Sequence, residues 1–293
     1  MKIIVLGRKG QLGRCLNDQL AKTDHDVVYT SREQIDITDF EATKRTVAQI
    51  NPDIIINAAA YTAVDKAEQE QEKADLINHL AVKNIAEICN QIGCCLVHVS
   101  TDYVFDGTSS VPYKEDDQSN PQGIYGLTKL NGELAIQSSG CEYMIIRTAW
   151  VFSEYGNNFL KTMLRLGGER DELSVVDDQF GCPTYAQDIA SAIVTILSQM
   201  NLKAQSGVYH YCGDHPCSWY DFAGEIFKRL DNYGAFVIPT LLPVTTDKYP
   251  TLAKRPSFSV LDNSYLYEKF GIVSSNWKKG ITSSLEMLNM SSL

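Results

Sequence analysis

The chain has 293 residues, enough for one large core or for a large domain with a smaller lobe. Its 44% hydrophobic and 21% charged composition is that of an ordinary soluble globular protein, and no apolar segment approaches the roughly 20 residues that cross a bilayer. With 26 basic against 36 acidic residues the net charge is −10, and no run of lysine or arginine interrupts it, which argues against nucleic acid as a partner.

The opening "MKIIVLG" runs straight into a glycine turn and lacks the long apolar region and cleavage site of a secretory leader. Residues 2–6 predict a strand, 11–20 a helix and 26–30 a second strand. "TDFEATKRTVAQI" predicts a second helix, with Thr38 as N-cap and Glu41 completing a capping box. "NPDIIINAAA" is a third strand after an Asn-Pro turn, "KADLINHLAVKNIAEICNQIG" a long helix ending at Gly93, and "CCLVHVST" a fourth strand. A helix over 125–138 and a strand over 142–150 follow.

These strands are continuous apolar runs, as in a parallel sheet covered by helices on both faces. The fold class expected is α/β: a Rossmann-type doubly wound parallel sheet with a smaller C-terminal substrate-binding lobe. Residues 1–155 form the dinucleotide-binding domain, elements around 175–200 contribute to it, and residues 156–293 supply mainly the interleaved lobe. Beyond Trp150, "NNFLKTMLRLG", "YAQDIASAIVTILSQM" and "SWYDFAGEIFKRL" read as helices, and "LSVVDDQFGCPT" and "GVYHYCG" as strands. Prolines 239, 243, 250 and 256 mark an irregular stretch. The eight cysteines, at 15, 89, 94, 95, 141, 182, 212 and 217, form no CxxC pair and no regular framework. They read as reduced thiols of a cytoplasmic protein rather than as metal ligands.

Two local patterns carry chemistry. "GRKGQLG" spaces Gly7, Gly10 and Gly13 between the first strand and the first helix. There, glycines allow a tight turn, close approach of a pyrophosphate and close helix–strand packing, with the helix N-terminus facing the phosphates. The second strand ends in Thr30, Ser31 and Arg32 rather than an acidic residue, and Arg8 and Lys9 add charge nearby. That set suits a ribose 2′-phosphate, pointing to NADPH with NADH as the alternative; the plainer reading is solvated loop residues. The second pattern is Tyr125 four residues before Lys129, behind Ser100, Thr101 and Asp102 at the end of the fourth strand. Residues four apart share a helix face. An ammonium beside the phenol would favour phenolate, and Thr101 could hold a carbonyl beside Tyr125 while a nicotinamide supplies hydride.

With "DITD", "PDIIINAAAYTAVDKAE", "VHVSTDYVFDG", "YGLTKLNGE", "RTAWVF", "GNNFLKTMLRL", "DDQFGCPT" and "AKRPSFSVLD" added to the glycine turn, the chain resembles the extended short-chain dehydrogenase/reductases. Within them it is similar to the dTDP-4-dehydrorhamnose reductase family. The resemblance implies that Tyr125 donates the proton, that Lys129 is its partner and a ribose ligand, and that Thr101 completes the set. It implies a cofactor lining of Gly10, Gln11, Leu12, Gly13, Asp36, Ile37, Ala60, Tyr61 and Thr62. Asp102, Tyr103 and Trp150 would meet the deoxysugar, and Asn158, Gln179, Thr184 and Arg255 the nucleotide diphosphate. Arg255 also makes sense alone, since a guanidinium clamps phosphate. The implied reaction is reduction of the 4-keto group of dTDP-4-dehydro-6-deoxy-L-mannose to dTDP-L-rhamnose. Some such enzymes are homodimers bridged by glutamate-bound magnesium; Cys15 stands where one glutamate is expected, so no residue is assigned to a metal. The rival readings are an NAD-dependent nucleotide-sugar epimerase or dehydratase of the same superfamily, and a non-catalytic NADP-binding regulatory subunit.

Overall fold

The computed structural model describes residues 1–199, 205–231, 233 and 238–288. In the first half β1 (Lys2–Leu6), α1 (Gln11–Leu20), β2 (Asp26–Thr30), α2 (Phe40–Ile50) and β3 (Ile54–Asn57) alternate. They are followed by α3 (Val64–Ala67), α4 (Gln71–Asp75), α5 (Ala81–Ile92), β4 (Cys95–Thr101), α6 (Ile124–Ser138) and β5 (Glu142–Thr148). The second half holds β6 (Val151–Phe152), α7 (Phe159–Gly167), β7 (Glu172–Val176), β8 (Phe180–Gly181), β9 (Thr184–Tyr185) and α8 (Ala186–Gln199). It ends with β10 (Gly207–His210), β11 (Cys217–Ser218), α9 (Trp219–Asp231), β12 (Thr240–Val244), α10 (Ser264–Phe270) and α11 (Trp277–Met287). Met200, at the end of the sequence-read helix, lies outside the described residues.

Six strands form one parallel sheet in the order β10-β5-β4-β3-β1-β2. Side chains alternate across it, so each apolar strand feeds two cores. Ile3, Val5, Ile54 and Ile56 meet α1 and α8 through Leu12, Leu16, Ile189 and Ile193, with Cys15 buried among them. Ile4, Leu6 and Ile55 face α2 and α5 through Val47, Val82 and Ile85. A third core joins Phe152, Leu160, Val175, Phe222, Ile226, Trp277 and Ile281 from the later elements. Thus α8 and β10, both beyond residue 155, are built into the sheet layers. The order in which strands are added reverses between β1 and β3, and ligands of such sheets bind outside the strands' carboxyl ends at that point.

Several local expectations are corrected. The N-cap of α2 is Asp39, whose carboxylate accepts from the Ala42 N–H at 3.0 Å. Thr38 cannot cap because its hydroxyl is held by Asp36 Oδ1 at 2.6 Å. The long helix is interrupted by a π-helical turn, Leu76–Leu80, which carries the buried Asn78. Such turns insert an extra residue and re-aim a side chain. The proline-rich stretch contains β12, paired in parallel with β7, with Pro243 opposite Val175. A strand in a two-stranded pair has a free edge, where a missing N–H is tolerated. Helices α10 and α11 were not read from the sequence, although Gly271 ends the first in a left-handed turn (φ 67°) and Asn276 caps the second. All eight cysteines are buried and unbridged.

Candidate active site

The carboxyl ends of β1, β3, β4 and β5 open into a cleft of about 600 Å³. Its floor is Gly10, Gln11 and Leu12; its walls are Ala60 and Thr62, the β4 end Val99–Asp102, Tyr103, Tyr125 and Lys129, and Thr148, Trp150, Trp219 and Arg255. Gly7 has φ 88° and no room for a Cβ, which would meet the Ala59 nitrogen at 2.8 Å. A Cβ on Gly13 would collide with the Gly7 carbonyl oxygen. The turn therefore needs glycine at both places, and it aims the start of α1, which carries no acidic residue, at the cleft. Gly13→Ala is expected to cost about 1–3 kcal/mol of stability through overpacking and to weaken NADPH binding. A thermal melt and a fluorescence titration check both, and wild-type values in each would contradict this packing.

The 30–37 segment is more committed to its own fold than its composition suggests. The Thr30 hydroxyl donates to the Val5 carbonyl at 3.2 Å, and Ile37 is buried, so what both offer a ligand is backbone. The Ser31 hydroxyl is engaged by Gln34, Arg32 pairs with Asp36 at 3.0 Å, and Lys9 pairs with Glu33 at 2.6 Å. Hydrogen bonds from Thr38, with Arg32 adding to them, lower the pKa of Asp36. Arg8, Lys9, Arg14 and Ser31 still border one hollow, shared with Tyr155. Opposite, the Tyr61 backbone is held on both sides by Asn78: Oδ1 accepts from its N–H at 2.8 Å and Nδ2 donates to its carbonyl at 3.1 Å. Asn78 Nδ2 also reaches Thr128 Oγ1 at 3.3 Å, fastening this loop to α6.

Thr101 and Tyr125 meet. A hydrogen bond with Thr101 works against burial, which pushes the Tyr125 phenol up to about 12, with Asp102 adding to the rise. Thr101 Oγ1 donates to Asp102 Oδ1 at 3.0 Å and accepts from the Tyr103 N–H at 3.2 Å. The Tyr103 ring lies edge-on to Tyr125 at 5.5 Å. Burial raises Asp102 to about 6 against the lowering effect of Ser259 and Thr101, and among the described residues its Oδ2 has no hydrogen-bond partner.

Lys129 departs from expectation. Its amine turns inward, 2% exposed, donating to the Val99 carbonyl at 2.7 Å and lying 3.1 Å from His98 Nε2. It finds these partners because α6 packs directly on β4, and burial lowers its pKa to about 8.

On the substrate side, Trp150 adopts φ 46° and stacks on Trp219 with centroids 3.5 Å apart. Arg255 pairs with Asp65 at 3.1 Å and leaves a buried, unpartnered Nε. Trp219 and Arg255 also border a second hollow of about 360 Å³ with Gln179, Phe159 and Val176. The Gln179 amide nitrogen donates to Thr246 at 3.1 Å. Two expected ligands are instead structural. Asn158 caps α7, accepting from Lys161, while its amide nitrogen donates to the Ser153 and Tyr155 carbonyls. Thr184 is fully buried, donating to Cys182 and accepting from Gly213.

Sequence reasoning passed over four groups. Thr148 lines the cleft with a buried, unpartnered hydroxyl. Trp219 completes the aromatic stack. Glu68 accepts from the Ile124 N–H at 2.8 Å and so caps α6, whose own N-cap is a glycine. Behind the cleft Arg147 holds Glu133 bidentately, with the Ser100 hydroxyl donating to the same carboxylate.

A glycine turn under a parallel sheet, facing a threonine, a tyrosine and a lysine at the strand ends, defines the nucleotide-dependent short-chain reductase class. A family model described as RmlD substrate binding domain matches residues 1–290. The dTDP-4-dehydrorhamnose reductase of Aggregatibacter actinomycetemcomitans is 41% identical over 289 residues, covering 96% of this chain and 97% of that protein. The enzyme of that name from Escherichia coli strain K12 is 40% identical over 293 residues, covering 98% of each. Among solved structures, the dTDP-4-dehydrorhamnose reductase of Clostridium acetobutylicum superposes with TM-score 0.92 at 40% identity, covering 99% of this chain and all of that one. The Bacillus anthracis protein of the same name, solved in complex with NADP, gives 0.90 at 36% identity, covering 98% and 99%. This chain belongs to the dTDP-4-dehydrorhamnose reductase family. UDP-glucose 4-epimerase of Thermus thermophilus, at 18% identity and TM-score 0.80, shares the fold alone.

Proposed function

We propose that this protein reduces the 4-keto group of dTDP-4-dehydro-6-deoxy-L-mannose with NADPH, giving dTDP-L-rhamnose, NADH being the alternative donor. The observation that carries the reading is the placement of Thr101 and Tyr125 side by side in one cleft at the end of β4, floored by the glycine turn. The cofactor fits the residues present: a helix start free of acidic side chains, small residues at Gly10 and Ala60, and an unpartnered Thr148 hydroxyl. When bound, it supplies hydride to the carbonyl carbon.

The chain's own groups handle the oxygen. Burial keeps the Tyr125 phenol protonated at neutral pH, so it stands loaded as an acid. As negative charge builds on the carbonyl oxygen its basicity rises, and the proton passes from the phenol. Thr101 orients that oxygen beside the phenol. Tyr103, Trp150 and Asp102 frame the deoxysugar, and the second hollow, with Gln179 and Arg255, takes the nucleotide diphosphate. Lys129 borders the cleft beside them, its amine held by the Val99 carbonyl and His98. The Arg8–Lys9–Arg14–Ser31 hollow offers positive charge for a 2′-phosphate. An intact Thr101, Tyr125 and Lys129 set speaks against a regulatory subunit without catalysis.

The test is NADPH absorbance with dTDP-4-dehydro-6-deoxy-L-mannose as substrate. Stoichiometric oxidation is expected. If NADPH is consumed only with another nucleotide keto-sugar, the superfamily stands and this substrate falls.

A further inference from the structure

The reductase reading gives Lys129 a task but does not explain why its amine turns into the sheet. Behind it a row of buried polar side chains crosses two neighbouring strands. Asn57, at the end of β3, stands opposite His98 on β4, and both are 0% exposed. His98 Nε2 lies 3.1 Å from Lys129 Nζ, and His98 Nδ1 lies 3.1 Å from Asn57 Nδ2. At the far end Asn57 Oδ1 accepts from the Ala59 N–H at 3.1 Å.

The row has a direction. A backbone N–H only donates, so the Ala59 contact identifies the oxygen end of the Asn57 amide, and the amide nitrogen must donate to His98 Nδ1. Burial, and secondarily the Lys129 charge, holds His98 well below the ordinary imidazole range, so the ring carries one proton. With Nδ1 accepting, that proton sits on Nε2 and points at Lys129 Nζ. An ammonium has no lone pair to receive it; an amine has. The opposite polarity requires the Asn57 amide to turn over and give up Ala59. The ring proton then moves to Nδ1, and Nε2 accepts from an ammonium. The two polarities differ by one proton on Lys129.

We infer that His98, aligned by Asn57, is a positioning residue that sets whether Lys129 is amine or ammonium, and thereby the alkaline limit of the reduction. Other groups face Lys129 as well. Glu133, one turn along α6, favours the ammonium, but its carboxylate is shared with Arg147 from β5 and Ser100 from β4. Asp102, Tyr103 and Tyr125 face the row from the cleft.

The inference rests on the reductase reading, and its first test does not need that reading. In protein labelled with ¹⁵N at its five histidines and held at a pH well above the Lys129 pKa of about 8, the His98 ring, identified by its loss in His98→Gln, is expected to show Nε2 protonated and Nδ1 bare. A wild-type ring still protonated at Nδ1 there overturns the inference. The second test is kinetic. Asn57→Asp places an acceptor-only side chain beside Nδ1 and is expected to raise the alkaline limb of kcat/KM by at least about one pH unit. The same change in a His98→Gln background is expected to leave the limb where His98→Gln alone has it. A shift persisting there would mean that the new carboxylate acts through space, and an unmoved limb in the single variant would deny the coupling; either overturns the inference. Wild-type protein that fails to reduce the keto-sugar counts against the function, while the ring signal still decides this point. The same signal decides it if Asn57→Asp does not fold.

Discussion

Tyr125→Phe is expected to lose at least ~10²-fold in turnover of the keto-sugar, the usual scale for removing a positioned acid, while NADPH affinity stays close to wild type. The two outcomes separate because the substitution removes one atom. The phenyl ring keeps its edge-on contact with Tyr103, so the cleft wall stays in place. What disappears is the proton and the hydrogen bond with Thr101. Thr101 is no substitute acid, since an alcohol hydroxyl gives up its proton far less readily than a phenol. Hydride transfer would then place charge on an oxygen with no acid beside it. Steady-state rates and a fluorescence titration measure the two halves of the expectation. Near-wild-type turnover would remove Tyr125 from the mechanism.

The other large effect expected is on stability. Glu133 and Arg147 face each other almost wholly buried, at 0% and 4% exposure, with the guanidinium also 5.1 Å from the centre of the Phe105 ring. Arg147 Nε reaches both carboxylate oxygens at 3.1 Å and Nη2 reaches one at 2.7 Å. Desolvation offsets much of the attraction in such a pair, so its presence adds little net stability. Breaking it is another matter. Arg147→Met strands a buried carboxylate whose remaining hydrogen-bond partner is Ser100, with Lys129 one turn away, a cost of about 3–5 kcal/mol and a fall in Tm on the order of 10 °C. Replacing both partners by methionine is expected to recover most of that loss, because no charge is left uncompensated. Calorimetry on the two single variants and the double one isolates the coupling. A single variant that melts with wild type would refute the burial argument.

The sheet, the glycine turn and the Tyr125–Lys129 pair were legible because each is a local pattern, either a run of apolar residues or a spacing along one helix. The family followed from nine such stretches and holds over nearly the whole chain. What could not be read depends on how distant segments meet. The direction of the Lys129 amine is decided by how closely α6 approaches β4, and no spacing within "YGLTK" encodes that approach. His98 and Asn57 did leave a trace, as polar residues inside the apolar strands "LVHVS" and "IIIN", but only the register of β3 on β4 shows that they touch. Asn158 and Thr184 mislead in the opposite way. Both stand within family motifs, yet their side chains hold a helix start and a loop. The stretch marked by prolines 239, 243, 250 and 256 reads as irregular, whereas β12 forms within it with Pro243 in place, in a pair of only two strands.

The π-helical turn at Leu76–Leu80 has a consequence for how freely the loop after β3 can vary. Through that turn Asn78 grips the loop after β3 solely by the peptide group of Tyr61, not by any side chain. A grip on the main chain is indifferent to which side chains the loop carries. The residues at 60 and 62, which border the cleft, can therefore be exchanged without releasing the loop. Diversification of what is bound is thus uncoupled from retention of shape, at the cost of making position 78 itself nearly immutable.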